Sequence, residues 1–283
     1  MRFPTRRDVL LSGLMVSLAG TAAACAAQDA GVPAPEAPAP SPPPPPPSAT
    51  VVEDVASRYS SAEARQWGID LPGIVTTVDT HSKTIALTFD ACGGPHGSLI
   101  DDPLLTLLNE EAVPATLFWN KRWIEANPQR AQQIAANPLF QIENHGTLHK
   151  PLSVSGRAAY GIPGTANAAE LVEEIEDNRR FMREFLGVES NWFRSGTAHY
   201  DDVAVRIARD LGVAIAGFAV NGDAGATMSG HAVASALVHS HPGAIVIMHM
   251  NQPGHGTADG VRAAIPRLRA AGFSFVTLGP APV

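Results

Sequence analysis

The sequence predicts an α/β fold, a distorted or incomplete (β/α) barrel of about seven parallel strands surrounded by helices. Three observations predict it. Short apolar runs such as Thr84–Phe89 and Ala244–Met248 alternate with amphipathic helical stretches along the chain. Five of these runs end in or beside an ionisable residue: Asp90, His145, Arg194, Asp223 and His249. Neither G-x-G-x-x-G nor G-x-x-x-x-G-K-[ST] occurs, which removes the phosphate cradle of an open nucleotide-binding sheet.

Each element has its local reason. Val51–Arg65 reads as a short helix, and Val75–Val78 with Thr84–Phe89 reads as a hairpin entering the core. Asp101-Asp102-Pro103 supplies an N-cap and a first-turn proline for a helix carrying Leu104, Leu105, Leu107 and Leu108. Pro114–Trp119 is strand-like, and 122–136 is helical with a restart at Asn127-Pro128. Phe140–Glu143 is a short strand running into His145. A Gly-rich loop follows to Thr165, and Gly156–Gly164 with Tyr160 reads as a mobile cover over a groove. In the longest helix Leu171, Ile175, Met182 and Phe185 share one face. Glu173, Glu174, Asp177 and Arg183 fall outside it, and Gly187 ends the helix. Trp192-Phe193 leads into Arg194, and Asp201-Asp202 caps Val203–Leu211. Ala214–Val220 is a strand ending near Asp223, and Thr227–His239 is helical. Ala244–Met248, helical Thr257–Ala270 and a last strand over Phe273–Leu278 complete the chain.

Ahead of this domain, expected over 51–283, two other segments are legible. Residues 1–25 read as an export signal: Arg2, Arg6 and Arg7 precede an apolar core that is too short for a confident membrane span. Thr5–Leu10 resembles a twin-arginine signal, and Ala22–Cys25 a relaxed bacterial lipoprotein box with a possible lipid anchor at Cys25. Residues 26–50 are Pro/Ala-rich, with Pro42 through Pro47 unbroken, and form a disordered or extended spacer. A periplasmic or membrane-anchored position outside the cytoplasm follows as the expectation. The net charge is −7 and no long basic run follows the first residues, so no nucleic-acid partner is expected, and a monomer is. Two cysteines exclude a disulfide framework, and Cys92 by itself reads as a small buried hydrophobe unless Asp90 beside it makes it part of a site.

A packed core has little use for ionisable groups at successive strand ends, so their recurrence points to one chemical site. His145-Gly146-Thr147-Leu148-His149 places two imidazoles four residues apart after a strand, a spacing that suits a divalent metal in a hydrolase. Trp119, Trp123 and Trp192 read as core residues, His255 as a rim contact, and His231, His239 and His241 as surface residues.

Over Lys83–Leu278 these motifs resemble the polysaccharide deacetylases of the NodB-homology type, carbohydrate esterase family four. The first motif, T-F-D-D-G in that family, reads Thr88-Phe89-Asp90-Ala91-Cys92-Gly93. The second reads Asn144–His149. The arginine motif keeps only Arg194, Asp223 stands for the fourth, and Ile247-Met248-His249 for the last. The resemblance implies Asp90 as general base acting on a metal-held water, and His145 and His149 as ligands of one divalent ion, usually zinc. It implies Arg194 as the residue orienting Asp90, Asp223 as a tuning group and His249 as general acid. The implied reaction removes acetyl groups from N-acetylated sugars of a polysaccharide or oligosaccharide. Ala91 departs from the pattern, because the family's third ligand stands there. Asp90 itself, a side chain such as His199, His96 or Cys92, or water must replace it. A non-catalytic glycan-binding or cell-wall protein on the same fold and an O-acetyl esterase are the alternatives. Metal content separates the first from an enzyme, and reaction products separate the second.

Overall fold

The structure, a computed structural model, describes residues 49–78 and 82–282, all within one compact unit. The expected export signal, Cys25 and nearly all of the spacer lie outside the described residues. The chain runs through α1 (Ala49–Arg58), β1 (Trp67–Gly68), β2 (Ile74–Val75), β3 (Thr84–Ala91), α2 (Asp102–Glu110), β4 (Ala115–Trp119), α3 (Lys121–Ala126) and α4 (Pro128–Ala135). It continues with β5 (Phe140–Asn144), α5 (Ala168–Leu186), β6 (Trp192–Phe193), β7 (Tyr200–Asp201), α6 (Asp202–Asp210), β8 (Ala214–Ala216) and β9 (Val220–Asn221). Last come α7 (Gly230–Val238), β10 (Ile245–His249), α8 (Thr257–Ala270) and β11 (Ser274–Val276). Among the described residues no helix is long and apolar enough to cross a membrane.

The main sheet has the order β2-β8-β6-β5-β4-β3-β10-β9, with β11 also beside β3, and its pairings are parallel. It is an open, curled sheet wrapped by helices, the distorted barrel that the strand–helix alternation predicts. The curl follows from the bent segment 214–221, whose β8 half pairs with β6 and whose β9 half pairs with β10. The single strand expected over Ala214–Val220 is therefore two. At the bend Gly217 has no room for a side chain, since a Cβ there would lie 2.6 Å from Ile74 Cγ2. At this break the carbonyls of Ala216, the last residue of β8, and of Gly217 accept from the site described below.

Period-two alternation sorts β3. Ile85, Leu87, Phe89 and Ala91 join the large apolar cluster that includes leucines of α2 and Val261, Ala264 and Ile265 of α8. Ala86 packs in a second cluster with Phe118, Trp192, Ala216 and Ile245, and Thr88 and Asp90 follow it on the same face of the strand. That face carries the polar groups. Helix ends obey the expected caps: the carboxylates of Asp101 and Asp201 accept the N–H of Leu104 and Ala204 at 3.1 and 2.7 Å, each cap worth about 1 kcal/mol. Gly187, at φ 69°, closes α5.

Three local expectations need correction. The first helix ends at Arg58, not 65. β2 does not form a hairpin with β3. It lies parallel to β8, and Thr77 bridges to Ala244, because Val75 and Val78 find their apolar neighbours in the cluster of Ala86, Phe118, Trp192 and Leu278. Burial across the barrel outweighs adjacency in sequence. Glu174, expected on the outer face of α5, is only 3% exposed, for the reason given next. Trp119, Trp123 and Trp192 are buried as expected, and His231, His239, His241 and His255 are exposed.

Candidate active site and metal centre

Parallel register levels the strand ends, so Asp90 of β3 stands beside His249 of β10 and Phe118 of β4. Arg194, one residue past β6 and fully buried, reaches across the barrel. Its guanidinium donates to Asp90 Oδ1 at 2.8 Å, to Thr88 Oγ1 at 2.8 Å, and to the carbonyls of Ala216 and Gly217 at 3.0 and 3.1 Å. Its plane lies 4.3 Å from the Phe118 ring centroid. Burial disfavours an ionised Asp90, but Arg194, with His145 and His249 nearby, outweighs burial and holds the carboxyl below its ordinary value. Asp90 Oδ2 faces His145 Nε2 at 3.7 Å.

His145 follows β5. Its Nδ1 donates to the Arg194 carbonyl at 2.9 Å, which leaves the Nε2 lone pair pointing at Asp90 and Cys92. Cys92 Sγ is 3.8 Å from that nitrogen. Sγ and the ring nitrogens of His145 and His149 all lie within 4.8 Å of one another. Tetrahedral ligands at metal distances stand about 3.3–3.8 Å apart, so a small contraction closes the set on one ion. Two further observations fit a divalent metal here. His149 Nε2 is buried with no hydrogen-bond partner, an uncompensated cost of about 1–3 kcal/mol. The Cys92 thiol, though burial disfavours its ionisation, is held well below its ordinary pKa by His149, His145 and His249, as a thiolate ligand requires. Of the substitutes considered for the ligand lost at Ala91, Cys92 is the one that joins the histidines. His96 is exposed, and His199 turns its Nδ1 to the Thr197 carbonyl at 2.7 Å. The reading of Cys92 as a plain apolar residue does not hold, because its sulfur faces imidazoles.

The loop carrying His149 is held in an unusual shape. Gly146 and His149 have φ of 82° and 65°, left-handed values that cost an ordinary residue energy. Glu174 of α5 stabilises that shape: its carboxylate accepts the N–H of Leu148 at 2.9 Å and of Lys150 at 3.1 Å. A Cβ on Gly146 would lie 2.5 Å from Glu174 Oε1. One helical turn on, Asn178 donates to Asn144 Oδ1 and the Trp119 carbonyl at 2.7 and 2.8 Å, and Asn120 donates to the carbonyls of His145 and Gly146 at 3.0 and 2.8 Å. Glu174→Ala should therefore lower divalent-metal affinity about tenfold or more, measured by chelator competition; unchanged affinity would show that the loop holds itself.

On the other side of Asp90, Asp223 is fully buried and collects four donors. Its Oδ2 accepts the His249 N–H at 2.7 Å and Thr257 Oγ1 at 3.0 Å, and its Oδ1 accepts His249 Nδ1 at 3.0 Å and the Gly225 N–H at 3.2 Å. Burial opposes charge on His249, but the bond to Asp223, with Cys92 nearby, raises its pKa well above the ordinary imidazole value. All six residues singled out in the sequence thus converge at one end of the barrel. Cys92, Glu174 and the supporting Asn120 and Asn178 join them.

The fold and these groups define a class: a curled α/β barrel carrying a Cys-His-His metal-type cluster beside an arginine-bound carboxylate and a carboxylate-bound imidazole. Residues 77–216 match the family model for polysaccharide deacetylase, and over that stretch the chain is homologous to that family. This homology and the cluster together support an enzyme that hydrolyses a carbon–nitrogen bond. A comparison with curated protein sequences found no match. Similar solved structures include the Bc1960 peptidoglycan N-acetylglucosamine deacetylase, with 22% identity, 73% of this chain and 91% of that chain covered, and TM-score 0.60. The family 4 carbohydrate esterase PdaA of Bacillus subtilis has 19% identity, covers 82% and 89%, and has TM-score 0.58. BA3943, a CE4 family pseudoenzyme from Bacillus anthracis, has 21% identity, covers 73% and 67%, and has TM-score 0.58. Likeness at these identities shows the fold. Because one of the three is a pseudoenzyme, activity must be argued from the site itself.

Proposed function

We propose that this chain is a metal-dependent deacetylase that releases acetate from N-acetylated sugars of an extracytoplasmic polysaccharide, with one zinc-type ion held by Cys92, His145 and His149. The convergence of those three donors beside Asp90 carries the reading. One thiolate and two imidazoles suit zinc. When bound, the ion supplies Lewis-acid polarisation of the acetamide carbonyl and a more acidic water.

The chain's own groups do the proton work. Arg194 fixes Asp90 by Oδ1 and keeps it ionised, so Oδ2 is the base that takes a proton from the attacking water. Hydroxide oxygen bonds to the carbonyl carbon and the carbon–nitrogen bond breaks. His249, held by Asp223 through Nδ1, gives the Nε2 proton to the departing nitrogen. Acetate and a primary amine on the sugar result. Since His249 is kept protonated above the ordinary imidazole range, the alkaline limb of kcat/KM should lie above that range. Asp223→Asn should move it to lower pH, read from the pH–rate profile. The stabilising share of the same interaction is present below the unfolded imidazole value and is lost as pH rises through the raised folded value.

The test is a panel of N-acetylated glycans incubated with wild type, Asp90→Asn and His145→Ala, assayed for acetate and for new primary amine. Acetate with amine, lost in both variants, supports the reading. Acetate without amine identifies an O-acetyl esterase, and activity surviving either change places the site elsewhere. A non-catalytic glycan-binding protein is the second reading, favoured by Ala91 at the family's ligand position. It predicts glycan binding with no bound metal. We also infer export, from the arginine-led apolar segment and the Pro-rich run after it; Cys25→Ala, compared for membrane association after cell fractionation, tests the lipid anchor.

A further inference from the structure

The two-stranded sheet outside the barrel was not foreseen in the sequence, and it assembles a row of rings. β1 pairs antiparallel with β7, placing Trp67 opposite Asp201. The carboxylate of Asp202 fastens the approach by accepting the N–H of Arg65 and Gln66 at 2.7 and 2.9 Å. The Trp67 ring then lies 5.8 Å from that of His199, with the Arg157 guanidinium 5.2 Å from the indole. Tyr160 meets His199 edge-to-face at 5.2 Å.

Tyr160 is held out by its backbone. The loop around it is pinned at its base, where Ser153 and Thr165 exchange bonds and Gly156 N–H donates to the Thr165 carbonyl. At its tip Ala159 and Ile162 exchange N–H···O bonds of 3.1 and 2.9 Å around Tyr160-Gly161. Both central residues have positive φ, 50° and 76°. Such a turn favours Asn or Gly first; here a tyrosine takes the strain and stays 82% exposed. Strain and exposure together at an aromatic residue mark a binding surface rather than a packing one. The segment that carries His199 packs on the metal-type site: Gly196, three residues earlier, passes so close that a Cβ on it would lie 2.3 Å from the His149 carbonyl oxygen.

A pyranose has an apolar C–H face and a rim of hydroxyls. Aromatic faces suit the first, and the Tyr160 hydroxyl, the Arg157 guanidinium and His199 Nε2 suit the second. We propose that Trp67, His199 and Tyr160, with Arg157, form a subsite for a sugar ring neighbouring the residue that is deacetylated. This rests on the deacetylase reading.

The test uses wild type, Tyr160→Ala, Tyr160→Phe and Tyr160→Gly with an N-acetylglucosamine pentamer, peptidoglycan fragments and single-ring N-acetylglucosamine. For each polymer that wild type accepts, Tyr160→Ala and Tyr160→Gly should raise KM about tenfold with kcat within about twofold. Tyr160→Phe, which keeps the ring and loses only the hydroxyl, should raise KM less than Tyr160→Ala does, and any single-ring activity should not change. Tyr160→Gly should also melt higher, since it relieves the turn. Unchanged KM, or an equal loss on the single ring, overturns the subsite. If wild type deacetylates nothing, the deacetylase reading fails separately. Calorimetric binding of the same glycans to the Asp90→Asn protein, with and without Tyr160→Ala, then decides the subsite: weaker binding supports it, and equal or absent binding refutes it.

Discussion

Asp90→Asn lowers kcat by about 10²–10⁴-fold while leaving bound metal at the wild-type level. The amide keeps the shape and one acceptor oxygen, so Arg194 can still donate to it, but it has no basic oxygen to take a proton. Asp90 is 2% exposed and Arg194 fully buried, so the exchange also leaves a buried guanidinium without its counter-charge. Breaking such a pair costs about 3–5 kcal/mol, and the variant should melt well below wild type. The pH dependence has a definite sign. Arg194 holds Asp90 below its ordinary value, so its stabilising contribution is present above the unfolded carboxylate value and is lost as pH falls through the lower folded one. Activity, metal content and melting temperature check the three parts. A variant with normal kcat would remove Asp90 from the chemistry.

Cys92→Ala should cost at least about 100-fold in metal affinity and nearly all activity, because two imidazoles remain to hold the ion. Cys92→Asp should keep both, since a carboxylate from that position offers the oxygen that Ala91 lacks. This pair of variants is decisive in another way. Cys92 lies near His249, which Asp223 orients, an arrangement that also suits a nucleophilic thiol. A nucleophile would not survive replacement by aspartate; a ligand does. Equilibrium dialysis and kcat measure the outcome.

The sequence made much of the site legible for a simple reason. The strands β3, β5, β6 and β10 are short, parallel and almost wholly buried, so an ionisable residue at the end of such a strand has no structural reason to be there, and Asp90, His145, Arg194 and His249 stand out. What stayed hidden depends on pairing across the barrel. Nothing local tells that 214–221 bends at Gly217, or that Val75 joins β8's side rather than β3. Glu174 did leave a signal. It lies on the stripe of Leu171, Ile175 and Asn178, three and four residues apart, where an acid is out of place on a core-facing side. Its charge argued for solvent, but the loop's N–H groups supply what water would have. Trp67 was silent, because its partner His199 is distant in sequence.

Cobalt(II) titration of metal-free wild-type protein, followed in the near ultraviolet and visible, tests the Cys-His-His centre most directly. The predicted result is a thiolate-to-cobalt charge-transfer band with intense four-coordinate visible absorption, both saturating at one equivalent and the former absent in Cys92→Ala. Saturation without a thiolate band, or no specific cobalt binding at all, would contradict it.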